Sequence, residues 1–377
     1  MIDGLVNFNL DEVSPTIIKV IGVGGGGGNA VEYMYSKGIC DVDFVVCNTD
    51  AQILENSPVP VKIQLGVELT EGHGAGNNPE IGAKSAEESL DEITRMLKKN
   101  TRMAFITAAM GGGTGTGAAP VIAKLAKGMG ILTVGIVSIP ARFEGPKRLN
   151  QAREGLRQLK DHVDCLIVID NEKIKRIYGS QTISAAFAKA NDVLNIAAKG
   201  IAEVITLPGY INVDFADVKT VMTDSGVAIM GAAQASGEDR ARRAITEALD
   251  SPLLNNNDIR GAKNILLNIT SGTDEVTMNE MTEITSIIIH RVGDTAAVIW
   301  GVGTDEALGD AISVTIIATG FPKDDIEILD QPAVRNEENG LLLSVEEVVV
   351  KPELTPAEIE ELMRTPAFER RRNVRIV

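Results

Sequence analysis

The 377-residue chain holds one tryptophan, three histidines and three cysteines, and aromatic residues make up only 3% of it. Cys40, Cys47 and Cys165 have no CxxC spacing, so each is expected to be a reduced thiol within an apolar run rather than half of a disulfide or a zinc ribbon. His73, His162 and His290 form no HExxH, and no side-chain metal site is expected. His290 and Trp300 stand in no constellation, which points to core packing for both. The sequence has no GxxxxGK[ST], so any phosphate it binds is not held by a P-loop. It has no apolar run near the ~20 residues that span a bilayer, and Met1 to Leu5 lack the basic and apolar regions of a secretion signal. A cytoplasmic protein without a transmembrane segment is expected. Basic residues are the minority, 36 Lys and Arg against 52 Asp and Glu for a net charge of −16, which argues against a nucleic-acid partner.

Glycine is what the chain has in plenty, and it is concentrated in a few places. Gly111-Gly112-Gly113-Thr114-Gly115-Thr116-Gly117 follows the apolar run Met103 to Ala109 and precedes a helical stretch, Ala118 to Lys127. Strand, glycine loop and helix together cradle phosphate: bare N–H groups approach the anion, the helix adds its positive end, and Thr114 and Thr116 bring hydroxyl donors. A second such loop, Gly24-Gly25-Gly26-Gly27-Gly28-Asn29, follows the strand Ile17 to Val23 and precedes a helix over Ala30 to Lys37. A third glycine cluster, Gly72 to Glu80, leaves further amides free, with Pro79 suited to the first turn of a helix running to about Lys98. Gly22-x-Gly24-x-x-Gly27 also satisfies the dinucleotide fingerprint, with Asp43 or Asp50 as ribose ligand, which gives a nicotinamide-dependent oxidoreductase as the rival reading. A dinucleotide needs only the first loop, whereas two loops after different strands imply one large polyphosphate.

Strands at Val42 to Cys47, Val61 to Leu65, Ile131 to Ile139 and Cys165 to Ile169 alternate with helices, and every glycine loop follows a strand. That order describes an α/β, doubly wound parallel sheet with its ligand at the strands' carboxyl ends. Ile183 to Thr206 carries apolar residues at three- and four-residue steps over roughly 36 Å of helix. Beyond it, Val227 to Ala233, Asn264 to Thr270, Ala296 to Val302 and Ile312 to Ala318 read as strands of a second domain, with helices at Glu238 to Leu249 and Asn279 to Arg291. Asp214 and Asp217 crowd one helical turn if Phe215 opens a helix, either as an N-cap with an acidic first turn or as a pair aimed at one point. From Pro322 the periodicity fails and acidic residues dominate, as in a linker; the last residues turn basic, with Arg364, Arg370, Arg371, Arg372 and Arg375.

GGGTGTG at 111–117, GAGxNPEIG at Gly74 to Gly82 and NVDFADV at Asn212 to Val218 make the chain resemble the FtsZ family, the bacterial cell-division branch of the tubulin-like GTPases, from about Ile17 to Phe321. The resemblance implies a tubulin/FtsZ-like fold: an N-terminal extension 1–16, a GTP-binding domain 17–182, a central helix 183–206, and an α+β domain with a mixed sheet, 207–321. An acidic linker 322–363 and a basic peptide 364–377 complete the chain. It implies GTP or GDP with Mg²⁺, held by Gly24 to Gly28, Asn29, Asn48, Gly74, Ala75, Gly76 and Gly111 to Gly117. Glu144 and Arg148 are placed near ribose and phosphates, Asn171 and Asn191 at the guanine edge, and Phe187 at the start of the central helix. Asn212, Asp214 and Asp217 are placed as catalytic residues that enter the pocket of the next subunit in a head-to-tail filament. Without the resemblance, Asn171 reads as a turn residue and Arg148 as a solvated helix charge.

The implied activity is GTP hydrolysis on polymerisation, in a division ring at mid-cell on the inner face of the membrane. Membrane-tethering and regulatory division proteins would dock around Pro366 to Arg372, with anionic lipid as the other candidate for those arginines. A scaffold that binds nucleotide without hydrolysing it is a further alternative. Gly28 in place of an asparagine, Ala141 in place of an aromatic and Pro146 in place of a basic residue depart from the family pattern, which bears on nucleotide affinity and exchange.

Overall fold

In the computed structural model, residues 16–39, 41–206, 209–211, 213–250, 259–293 and 296–321 are described. The expectations for Cys40, Asn212, most of the N-terminal extension, the linker and the C-terminal peptide lie outside them. The first half of the chain runs β1 (Ile18–Val23), α1 (Gly24–Ser36), β2 (Val42–Asn48), α2 (Ala51–Asn56), β3 (Val61–Gln64), α3 (Val67–Thr70), α4 (Pro79–Glu88), α5 (Leu90–Lys98), β4 (Met103–Ala109), α6 (Thr114–Gly128) and β5 (Leu132–Ile139). A 3₁₀ turn at Arg142–Glu144 leads to α7 (Pro146–Lys160), β6 (Cys165–Asp170), α8 (Asn171–Tyr178) and α9 (Ile183–Thr206). The second half holds β7 (Gly209–Ile211), α10 (Phe215–Met222), β8 (Gly226–Val227), β9 (Ile229–Ser236), α11 (Arg240–Leu249), β10 (Asn264–Ser271), α12 (Met278–Val292), β11 (Ala297–Thr304) and β12 (Ala311–Thr319).

The first sheet has the order β3-β2-β1-β4-β5-β6-β8, and all of its pairings are parallel. Its central strands are near-continuous apolar runs because helices cover both faces. Ile18, Val20, Phe105 and Ile167 face α1 and α9; Ile21, Ile106 and Val137 face α5, α6 and α7. The second sheet, β7-β11-β10-β12-β9, is mixed, since β10 and β11 run parallel and its other pairs antiparallel. α11 and α12 cover one face of it through Ile245, Ile284 and Ile288. α9 serves both units: Leu194 and Ile201 belong to the same buried cluster as Phe105 of the first sheet and Leu266 and Ile317 of the second.

Four differences from the sequence reading have local causes. The helices expected to start at Ala30 and Ala118 start at Gly24 and Thr114, so Gly24 to Gly28, Gly115 and Gly117 lie in first turns while Gly111 to Gly113 remain a loop. Gly26 and Gly27 permit this because α1 lies directly on β4: a Cβ there would stand 2.4 Å from the Ala109 Cβ and 2.3 Å from the Thr107 carbonyl oxygen. The helix expected from Pro79 to Lys98 breaks at Ser89, where α3 docks. Glu88 accepts the Glu68 and Leu69 N–H groups and the Ser89 hydroxyl accepts that of Gly66. The strand expected over Val227 to Ala233 is divided at Ala228, with β8 closing the first sheet and β9 edging the second. His290 and Trp300 are exposed rather than core residues, on the outer faces of α12 and β11.

Candidate functional site

A cavity of about 340 Å³ opens at the carboxyl ends of the first sheet. Val23, Gly25 and Gly26 line it from the β1–α1 junction, and Ala109, Met110 and Gly112 to Gly115 from the β4–α6 junction. Ser138 and Pro140 follow β5, Asn171 follows β6, Glu144 and Arg148 come from the turn and α7, and Phe187 comes from α9. Two helices, α1 and α6, thus bring glycine-rich first turns, with their unpaired N–H groups and positive dipole ends, to one hollow.

The glycines divide into two kinds. Gly25 and Gly112 line the cavity with nothing within 4 Å of a built Cβ, so their missing side chains leave room for a ligand to approach the backbone. Others join the loops to one another. A Cβ at Gly24 would stand 2.7 Å from the Gly115 nitrogen, one at Gly113 2.9 Å from the Asn78 nitrogen, and one at Gly117 1.9 Å from the Pro79 carbonyl oxygen. The third glycine stretch, residues 72–78, therefore backs onto the signature loop instead of lining the cavity. The hydroxyls are partly committed: Thr114 pairs with Thr49 at 2.7 Å, and Thr116 accepts the Gly111 N–H at 2.8 Å inside the loop.

Of the residues expected at the site, Gly25, Gly26, Gly112, Gly113, Thr114, Gly115, Glu144, Arg148, Asn171 and Phe187 meet around the cavity. Gly24, Gly27, Gly28, Asn29, Asn48, Gly74, Ala75, Gly76, Gly111, Thr116, Gly117 and Asn191 do not line it. Asn48 is buried, with its side-chain oxygen accepting the Thr49 N–H, and a side chain at Gly28 would meet open space. Met110, Ser138 and Pro140 escaped the sequence reading. Their signal was position alone, immediately after or at the ends of β4 and β5.

The polar equipment suits a nucleotide. Glu144 accepts the Ala141 N–H at 2.9 Å and holds Arg148 at 2.8 Å, leaving the half-exposed guanidinium free to share with an anion. The Asn171 side-chain oxygen is buried without a hydrogen-bond partner, an acceptor a purine N–H can fill. Beside it, burial pushes the Asp170 carboxyl up, opposed by the hydrogen bond it accepts from the Glu172 N–H. Among the described residues no group of three or more His, Cys, Asp or Glu is placed to hold a metal ion.

Asp214 and Asp217 lie elsewhere. Asp214 occupies the N-cap position of α10 but its carboxylate makes no cap hydrogen bond, and both aspartates are exposed without a side-chain partner among the described residues. Phe187 touches the cavity near the start of α9, and α10 begins only beyond Thr206, so roughly 28 Å of helix separates the two places.

Residues 17–179 match the model of the tubulin/FtsZ family, GTPase domain, and residues 226–322 that of the FtsZ family, C-terminal domain. The chain is 48% identical over 326 residues to the cell division protein FtsZ of Porphyromonas gingivalis, covering 86% of this chain and 71% of that protein. It is 50% identical over 306 residues to the cell division protein FtsZ of Azotobacter vinelandii, covering 81% and 77%. Among solved structures, an empty FtsZ dimer from M. jannaschii is 42% identical with a TM-score of 0.78, covering 84% of this chain and 91% of that one.

Proposed function

The chain belongs to the tubulin/FtsZ family, and from that premise we propose that it binds GTP in the cavity of its first sheet and hydrolyses it when a second copy contributes Asp214 and Asp217. It is a self-polymerising GTPase of bacterial cell division, and the nicotinamide reading falls with the family match. Both glycine-rich helix starts line one hollow, which also counts against a dinucleotide site.

One observation carries the shared site. Among the described residues that line the cavity the one carboxylate, Glu144, is paired with Arg148, while the exposed carboxylates of Asp214 and Asp217, without a side-chain partner among the described residues, lie beyond the far end of α9. Hydrolysis joins a water oxygen to the terminal phosphorus, breaks the bond to the bridging oxygen, and releases GDP and inorganic phosphate. The N–H groups of α1 and α6 neutralise the phosphate oxygens, and Arg148 adds charge at the rim. Asp214 and Asp217 from the neighbour accept the water's hydrogen bonds, orient it in line and take its proton. Mg²⁺, when bound, would neutralise phosphate oxygens and be held mainly through those oxygens and water, which suits a cavity without a carboxylate cluster. Asn212, two residues before Asp214 in the sequence, is proposed to act with Asp214 and Asp217. A contact that joins the cavity of one copy to α10 of the next is heterologous and repeats as a filament. Such filaments would form the ring at mid-cell, and the peptide around Pro366 to Arg372 would engage division proteins that tether it to the membrane.

GTP turnover per molecule should rise through a threshold as protein concentration rises, and Asp214→Ala should bind GTP with unchanged affinity while turnover falls at least ~100-fold. Mixing Asp214→Ala with a Gly112→Glu variant, each inactive alone, should restore part of the activity at mixed junctions. Turnover that is flat with concentration, or undiminished in Asp214→Ala, would overturn the shared site.

A further inference from the structure

The two hydroxyls of the signature loop have different partners. Thr116 accepts the Gly111 N–H inside the loop and does not line the cavity. Thr114 does line it, and its Oγ1 lies 2.7 Å from the Oγ1 of Thr49, the residue that follows β2. Either oxygen is able to donate in that bond, and the direction decides what Thr114 offers the cavity. A hydroxyl carries one proton. If Thr114 spends it on Thr49, only lone pairs face a ligand; if Thr114 accepts from Thr49, its own O–H is free to turn toward the cavity.

Burial fixes the direction. Thr49 is wholly buried, and Thr114 is the one partner of its hydroxyl among the described residues. A buried O–H without an acceptor is costly, so the Thr49 proton belongs in the bond to Thr114. Thr49 is also held in place along its backbone: its N–H donates to the Asn48 side-chain oxygen at 2.9 Å, and its carbonyl accepts the Thr70 hydroxyl at 3.3 Å. Ionised phosphate oxygens accept hydrogen bonds and donate none. A chain running from Thr49 to Thr114 to phosphate therefore points both protons the same way, and each bond in it polarises the next.

We propose that Thr49 is a positioning residue for nucleotide binding, which makes the Thr114 hydroxyl a donor aimed into the cavity. Thr49 itself does not line the cavity, and its role rests on the GTP-binding reading above. Without the Thr49 hydroxyl, Thr114 loses the proton it accepts and the contact that fixes its rotamer. Its O–H then has no preferred direction, and the ligand has to order it on binding. The role belongs to the hydroxyl rather than to the bulk of the side chain, which separates it from packing.

The test compares Thr49→Val, which keeps the shape and loses the hydroxyl, with Thr49→Ser, which keeps the hydroxyl and loses a methyl group. GTP affinity is measured by equilibrium binding below the concentration at which turnover sets in, with urea unfolding alongside. Thr49→Val should bind GTP about fivefold more weakly, as expected for one hydrogen bond, while Thr49→Ser should stay within about twofold of wild type. Thr49→Ala, a second variant without the hydroxyl and with no methyl group set against Thr114, should weaken binding as Thr49→Val does. On a Thr114→Val background the Thr49→Val change should alter affinity less than about twofold, because no hydroxyl is left to orient. Thr49→Ser and Thr49→Val weakening binding equally, or Thr49→Val costing as much with Thr114→Val as without it, would assign Thr49 to packing and overturn its positioning role. Wild-type protein that binds no GTP would instead sink the GTP reading itself, so the two failures are distinguishable.

Discussion

Gly112 and Gly117 belong to one seven-residue signature, yet the structure predicts opposite consequences for adding a methyl group to each. At Gly117 the new Cβ would lie 1.9 Å from the Pro79 carbonyl oxygen and 2.7 Å from the Ala83 nitrogen, whereas an ordinary carbon–oxygen contact is about 3.3 Å. Both obstacles are backbone of α4, so α4 and α6 must part by more than 1 Å along their shared seam. Overpacking of this kind costs about 1–3 kcal/mol and more where backbone must move, while replacing a mid-helix glycine by alanine returns at most ~1 kcal/mol. A net loss of about 1–2 kcal/mol is expected for Gly117→Ala, read as a lower urea midpoint with an unchanged slope. Gly112→Ala meets nothing within 4 Å, so its midpoint should stay within ~0.5 kcal/mol of wild type. Its methyl group instead enters the cavity and should weaken GTP binding about tenfold, measured by fluorescent-nucleotide titration. A Gly117→Ala protein as stable as wild type, or a Gly112→Ala protein that loses stability without losing affinity, would refute this division of the signature into a packing half and a binding half.

Two further outcomes concern regions away from the cavity. Arg240 is only 5% exposed and donates to Glu280 at 2.7 Å and to the Asp310 carbonyl at 2.8 Å, so Arg240→Met should cost the protein about 3–5 kcal/mol by leaving Glu280 and the carbonyls without their donor, measured by urea unfolding. Lys127 joins Asp224 at 2.6 Å and the buried Asp164 at 3.3 Å; burial alone would lower the Lys127 ammonium, but the Asp224 hydrogen bond and the Asp164 charge outweigh it and raise it. A raised lysine contributes stability that is complete below its ordinary value of 10.5 and fades as pH climbs past it, so the deficit of Lys127→Met, about 1–2 kcal/mol in urea unfolding at pH 7, should shrink at about pH 11.

What could be read from the residues alone was whatever depends on local pattern. The apolar runs of β1, β2, β4, β5 and β6 mark buried parallel strands, and the glycine stretches after β1 and β4 mark two junctions that line one cavity. Cys47 and Cys165 behave as the apolar runs around them imply: they are free and buried, and burial pushes both thiols up to about 12. Features set by tertiary contact were not legible. Glycine is a poor helix former, so nothing local places Gly24 or Thr114 inside a helix; close packing on β4 and α4 does. The break at Ser89 depends on α3 arriving from twenty residues upstream, and the division at Ala228 depends on which sheet is the nearer partner on each side of it. α8 was missed although Asp170 caps it through the Glu172 N–H, because an Asp-Asn pair after a strand reads equally well as a turn.

The division at Ala228 also bears on why the acidic pair cannot serve its own molecule's cavity. β8 is hydrogen-bonded to β6 at Cys165 and Leu166, the amino end of that strand, whereas Asn171 reaches the cavity from the carboxyl end. Ala228 donates its N–H to Leu166 at 2.9 Å and the chain then enters β9, so the second sheet is joined to the first by continuous backbone on the side away from the cavity. α9 fixes the other connection, with Ala197 and Ile201 wholly buried and Gly200 so close to Thr315 that a Cβ would stand 2.7 Å from its methyl group. A domain rotation large enough to carry α10 back along α9 would have to strip β8 from β6 and open that seam. With α10 held beyond the far end of α9 by two independent tethers, the role proposed for Asp214 and Asp217 requires a terminal phosphate bound by another copy, and the proposed dependence of turnover on assembly rests on that requirement.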